Sequence, residues 1–142
     1  MNRLKRTKGW TLTFCMAVLA FALALTCEVA DEAQSGWTAP ADAAKVANPI
    51  PSDKSSTDMG KKVFTGKCLS CHGNTGKGDG PMQKVLKVKP QDLTSATVKA
   101  ESDGSLFYKI TKGKSPMPSF AKNLTDKERW NVVNYIRTFG AK

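Results

Sequence analysis

Apolar and polar positions divide this chain of 142 residues into three regions. Trp10 to Thr26 is an uncharged, mostly apolar run of 17 residues, preceded by a basic start with Arg3, Lys5, Arg6 and Lys8. From Glu28 to Ser56 the chain is rich in Ala, Pro, Ser and Asp, has few large apolar residues, and follows neither a helical nor a strand period. From residue 57 onward apolar residues recur at spacings of three and four between Gly, Pro, Ser and Asp, a pattern that predicts short helices joined by loops.

The first helix is expected to be capped by Ser56 or Thr57 and to run through Met59, Gly60, Val63 and Phe64 toward Cys68. Gly60, Phe64 and Cys71 would fall within about 40° of one another around its axis. A glycine inside a helix costs about 1 kcal/mol relative to alanine, so Gly60 is read as the place where another helix comes close. Met82, Val85 and Leu86 predict a short turn that stops before Pro90. Ser102 or Asp103 caps a second helix with Leu106, Phe107 and Ile110 on its apolar face and Gly113 at its end. The last helix opens on the capping box Thr125-Asp126-Lys127-Glu128 and places Val132, Tyr135, Ile136 and Phe139 within about 100°. Trp130 is read as a core residue.

The basic start and apolar run form an export signal, because positive charge keeps the N-terminus in the cytoplasm while the chain beyond the run crosses the membrane. The run is long for a signal-peptide core and short for a span, which leaves three fates open: cleavage, retention as an anchor, or lipidation at Cys27. Residues 1–27 are therefore assigned as signal peptide or anchor, 28–56 as a flexible linker, and 57–142 as one small domain. The domain would sit in the periplasm, soluble or tethered.

Candidate chemistry is concentrated in Cys68-Leu69-Ser70-Cys71-His72, the spacing of covalent c-type haem attachment. Two thiols three residues apart on a helix lie about 60° apart and can reach two vinyl groups on one edge of a porphyrin, with the next residue free to bind iron. Zinc would need about four ligands, and beyond this pentapeptide only Cys27 is at hand; a dithiol redox pair would want a βαβ setting that the pattern lacks. The loop Gly73 to Pro81 carries four glycines but not the ending of a phosphate loop. A backbone carbonyl at its end, near Pro81, is a candidate acceptor for the second N–H of a metal-bound His72. A bound macrocycle would also enlarge a core that is small for an all-protein domain.

His72 is the single histidine of the chain, so two histidines of one subunit cannot share one iron. The sixth ligand is then a methionine, a lysine, water or nothing. Met117 is the best placed, held between Pro116 and Pro118; Met59 and Met82 are the other candidates in the domain. Formal charge is +10 for the whole chain and +6 without residues 1–27, which fits an acidic docking partner as well as a solvated lysine surface. No motif points to nucleic acid.

Residues 57 to 140 resemble the class I c-type cytochromes, in particular small bacterial periplasmic proteins with one haem. The resemblance rests on Cys68-Leu69-Ser70-Cys71-His72-Gly73, Gly78-Asp79-Gly80-Pro81, Met117-Pro118-Ser119-Phe120 and Trp130 to Phe139, in that order. It implies an all-α, cytochrome c-like fold around one covalently bound haem c, with Gly60, Phe64 and Tyr135 at the contact between first and last helices. It further implies that His72 and Met117 are the axial ligands and that the carbonyl of Pro81 orients His72. The implied function is one-electron transfer between periplasmic or membrane redox proteins, by a monomer or a subunit of a complex. A fixed subunit of a larger oxidoreductase and a haem sensor or peroxidase are the alternatives.

Overall fold

The computed structural model describes residues 37–140, and the expectations for residues 1–27 and for the linker up to residue 36 lie outside them. Among the described residues the regular elements are all helical: α1 (Ala41–Ala44), α2 (Lys54–Lys67), α3 (Leu69–His72), a 3₁₀ turn (Pro81–Lys84), α4 (Ala96–Ala100), α5 (Asp103–Lys112) and α6 (Asp126–Arg137). An isolated bridge pairs Lys114 with Met117.

Helices α2 and α6 form the frame. A Cβ added to Gly60 would lie 2.0 Å from the carbonyl oxygen of Asn131 and 2.9 Å from Cβ of Tyr135, so the glycine lets one backbone rest directly on the other. One turn on, Phe64 is almost fully buried and meets Tyr135 and Phe139 edge to face, each with ring centroids 5.3 Å away. Val132, Val133, Ile136 and Trp130 of α6 line the core, while Leu106, Ile110, Phe120 and Leu124 bring α5 and the chain before α6 against it. Trp130 stacks on Phe107 at 4.0 Å.

Capping matches the expected ends of α5 and α6. The Ser102 side chain accepts from the Ser105 amide and Gly113 ends α5; Thr125 and Glu128 form the reciprocal box that starts α6. Helix α2 starts earlier than expected. Its cap is Asp53, and Ser56 instead sits at the third helical position, where its hydroxyl accepts from the Asp53 amide at 3.1 Å.

The assignment of residues 28–56 as a flexible linker is corrected over residues 37–56. The Asn48 amide donates to Oδ1 of Asn134 at 2.7 Å, and Nδ2 of Asn134 lies 3.2 Å from the Ile50 carbonyl and 3.1 Å from that of Pro51. Further back, Lys109 sits over the Trp37 ring at 5.7 Å. Hydrophobic periodicity could not show this strap, because what holds it is backbone carbonyls satisfied by one buried asparagine.

Two glycines of α2 give opposite expectations. G60A gains roughly 1 kcal/mol of helix propensity but drives a methyl into backbone, a strain of about 3 kcal/mol, and should lower the stability of the holoprotein to urea. G66A meets nothing within 4 Å and should leave stability unchanged or raise it by about 0.5 kcal/mol. Equal effects of the two would contradict the backbone contact. N134A, which takes the side-chain donor from the Ile50 carbonyl and the acceptor from Asn48, should cost about 2 kcal/mol in the same urea titration, and a loss under about 0.5 kcal/mol would mean that the strap adds nothing.

Candidate functional site

The cysteine motif forms one tight turn at the end of α2. Cys68 closes α2, and its carbonyl accepts from the amides of Cys71 at 3.2 Å and His72 at 2.9 Å. Both thiols are free and half-buried. Burial, with Cys71 adding to it, pushes the Cys68 thiol up to about 12, so it stays protonated. A thioredoxin-like cysteine needs the opposite shift, toward the thiolate. Among the described residues no three of His, Cys, Asp and Glu cluster as metal ligands.

His72 is neutral, because burial pulls it below its ordinary value and a carbonyl contact offsets this only in part. Its Nδ1 lies 3.1 Å from the Gln91 carbonyl oxygen. A carbonyl can only accept, so the proton sits on Nδ1 and the lone pair on Nε2 is available to a metal. The expected acceptor, the carbonyl of Pro81, is thereby corrected to that of Gln91, ten residues further on. The physical reason is the double-back of the loop: the Gly78 amide donates to the His72 carbonyl at 2.9 Å and the Leu93 amide to that of Gly76 at 2.7 Å, which lays Gln91 alongside the histidine. Pro81 instead opens the 3₁₀ turn, and the preceding Gly80 amide donates to the Cys71 carbonyl at 3.2 Å.

Met117 lies in the loop after α5, half-buried and packed against the core. Its amide donates to the Lys114 carbonyl at 2.8 Å, while the Ser119 hydroxyl donates to Thr111 at 2.7 Å and the Phe120 amide to Ile110 at 3.2 Å. Met59 and Met82 are 45% and 44% exposed, which leaves Met117 as the sheltered thioether among the described residues.

A buried cation that sequence reasoning missed supports this loop. Arg129 directs one guanidinium nitrogen at the carbonyls of Phe120, Ala121 and Leu124, pairs with Asp126, and lies 5.1 Å from the Phe107 ring centroid. The signal was a lone charge next to the apolar stripe of α6. Gln91 left no signal at all, since every residue has a carbonyl.

The family profile described as cytochrome C oxidase, cbb3-type, subunit III matches residues 55–136, more than half of the chain. Cytochrome c6 of Parathermosynechococcus lividus is 34% identical over 84 residues, which cover 58% of this chain and 90% of that protein. Cytochrome c6 of Bumilleriopsis filiformis is 30% identical over 79 residues, covering 56% and 86%. The chain belongs to the class I c-type cytochromes.

Among solved structures, the cytochrome matches a chain of the Kuenenia stuttgartiensis reducing HAO-like protein complex Kustc0457/Kustc0458, with a TM-score of 0.58 and 33% identity. The match covers 64% of this chain and 46% of that one, so the cytochrome spans less than half of that neighbour. As its family implies, the cytochrome is a haem-based electron carrier whose cofactor is covalently bound haem c. The residues present fit that group: two free thiols at the right spacing, one neutral imidazole with its metal-binding nitrogen available, and a sheltered thioether.

Gly78 tests the role of Gln91. It has φ +72°, and an added Cβ would lie 2.2 Å from the Pro90 carbonyl oxygen. G78A should push the Gln91 carbonyl away from Nδ1, make His72 a poorer donor, and raise the reduction potential. An unchanged potential, with the fold intact by circular dichroism, would contradict the assigned acceptor.

Proposed function

We propose that Cys68 and Cys71 hold the haem through thioethers, that His72 and Met117 occupy the two axial positions, and that the protein carries single electrons between redox proteins beyond the cytoplasmic membrane. The observation that carries this reading is the state of His72: the single histidine of the chain, neutral, with its Nδ1 proton committed to Gln91. When bound, the haem supplies a ferric–ferrous couple, and a thioether ligand favours the ferrous side. The polypeptide does the rest. The Gln91 carbonyl fixes the ring and tautomer of His72 and the Lys114–Phe120 loop fixes Met117, and a haem iron held by both side chains would have no open position for a substrate.

Export of the domain is supported by the basic start and apolar run at the N-terminus. No helix among the described residues is long and apolar enough to cross a membrane. With the strap docked, only residues 28–36 separate Cys27 from Trp37. An N-terminus retained or lipidated at Cys27 would hold Trp37 within about 35 Å of the membrane, far less reach than a free linker up to residue 56 would give.

A second reading, a fixed subunit of a larger oxidoreductase, is favoured by the name of the matching family and by the solved neighbour, which is part of a complex. Co-purification of a stoichiometric partner from native membranes would select it over a free shuttle.

The ferric protein should show the near-infrared charge-transfer band of sulfur-to-iron ligation, and M117A should abolish it and admit carbon monoxide to the ferrous form within seconds. A band that survives M117A would remove Met117 from the ligand set. Rapid carbon monoxide binding by the unaltered protein would favour a sensor or peroxidase instead.

A further inference from the structure

The segment from Gly80 to Gln91 contains three lysines and no acidic residue. Its apolar residues divide into two sets. Met82, Val85 and Val88 are 44%, 71% and 56% exposed, whereas Leu86 is half-buried. In a 3₁₀ turn residues three apart eclipse, and the Val85 amide donates to the Met82 carbonyl at 3.1 Å, so Met82 and Val85 share the outward face while Gln83 and Leu86 turn inward. Lys84, Lys87 and Lys89 are interleaved with that face, all exposed. Lys84 and Lys87 form no ion pair with a described carboxylate, and Lys89 adds only to the field that, behind the hydrogen bonds from Thr94, lowers Asp92. The segment begins at the Gly80 amide, bonded to the carbonyl of Cys71.

From this arrangement we infer that Met82, Val85 and Val88, collared by Lys84, Lys87 and Lys89, form the docking surface for a redox protein whose contact face has an apolar centre rimmed by carboxylates. The inference rests on the electron-carrier reading and names the surface it uses. Apolar contact gives a short-lived complex its close packing, and the unpaired lysines steer an acidic partner into register. The patch abuts the turn bearing both cysteines, so a partner seated there lies next to the attachment site. Three short apolar side chains without an aromatic are a poor anchor for a lipid surface, which favours a protein as the occupant.

The probe is a plastocyanin with an acidic face, mixed in its cupric form with the ferrous holoprotein by stopped flow. One electron leaves the ferrous protein and reduces cupric to cuprous copper. K84E/K87E/K89E should lower the second-order rate at least about tenfold at low ionic strength and flatten its salt dependence. K61E/K62E/K127E makes the same change in net charge on α2 and α6 and should lower it less than about threefold. V85S/V88S should lower the rate severalfold with the salt slope intact and with potential and absorption spectrum unchanged. Equal effects of the two triple variants would overturn the inference, as would a shifted spectrum in V85S/V88S, which would place those valines over the cofactor. Loss of binding to phosphatidylglycerol vesicles in V85S/V88S with the plastocyanin rate unchanged would assign the patch to lipid and also overturn it. A wild-type protein that reduces ferricyanide while ignoring all these charges sinks only the docking surface; one that reduces neither oxidant sinks the carrier reading beneath it.

Discussion

Everything in this domain is placed relative to the contact where α2 rests on α6 at Gly60. With a side chain there, the carbonyl of Asn131 could not approach, and the two helices would separate by the width of a methyl group or more. Because they touch, Phe64 is clamped by Tyr135 and Phe139 one turn later, and the turn of Cys68 to His72 leaves α2 from a fixed point. A helix some 60 residues downstream thus sets the position of the cysteine motif. The contact is local in space and distant in sequence, as expected of a domain whose two ends close around one group.

The same helix supports the methionine side through charge. Arg129 is buried beneath the loop that follows Met117, and three carbonyls of that loop converge on one of its nitrogens. The Phe120 carbonyl also accepts from the Asn123 and Leu124 amides, but the buried Leu124 carbonyl would otherwise be short of a donor, and the arginine would otherwise be a buried charge with Asp126 as its sole anion; each makes the other tolerable. The surroundings of His72 are organised differently, by backbone alone, with the 76–93 loop folding back so that Gln91 meets His72. Met117 thus depends on a side chain from α6 and His72 on loop closure, so the two residues can be perturbed separately by substitution.

Much of this was legible in the sequence because it is written in local chemistry. The Ser102 and Thr125 caps, the Gly113 stop, the close approach at Gly60 and the cysteine spacing each depend on residue type at a fixed offset. The features that were missed depend on backbone groups meeting across long separations. Nothing in the identity of Gln91 marks its carbonyl as the partner of His72, and Pro81 attracted that role through a family likeness whose loop length this chain does not share. The strap escaped for a related reason: Asn134 is polar within an apolar helix, a hint that it binds something, but its partners Asn48, Ile50 and Pro51 lie in a stretch without periodicity. Helix α4, only five residues long, is too short for a hydrophobic period to declare itself.

The electron-carrier reading rests on the proposed pair of iron ligands, the sheltered Met117 and the neutral, carbonyl-bound His72. Its most direct test is the proton NMR spectrum of the ferrous holoprotein, since a methyl group held over the macrocycle is moved far upfield of every other resonance by the ring current. The account predicts one such three-proton line, labelled by isotopic methionine and present in M59L and M82L alike. Its absence, or its disappearance in either of those variants, would contradict the assignment of the ligand and the carrier function built on it.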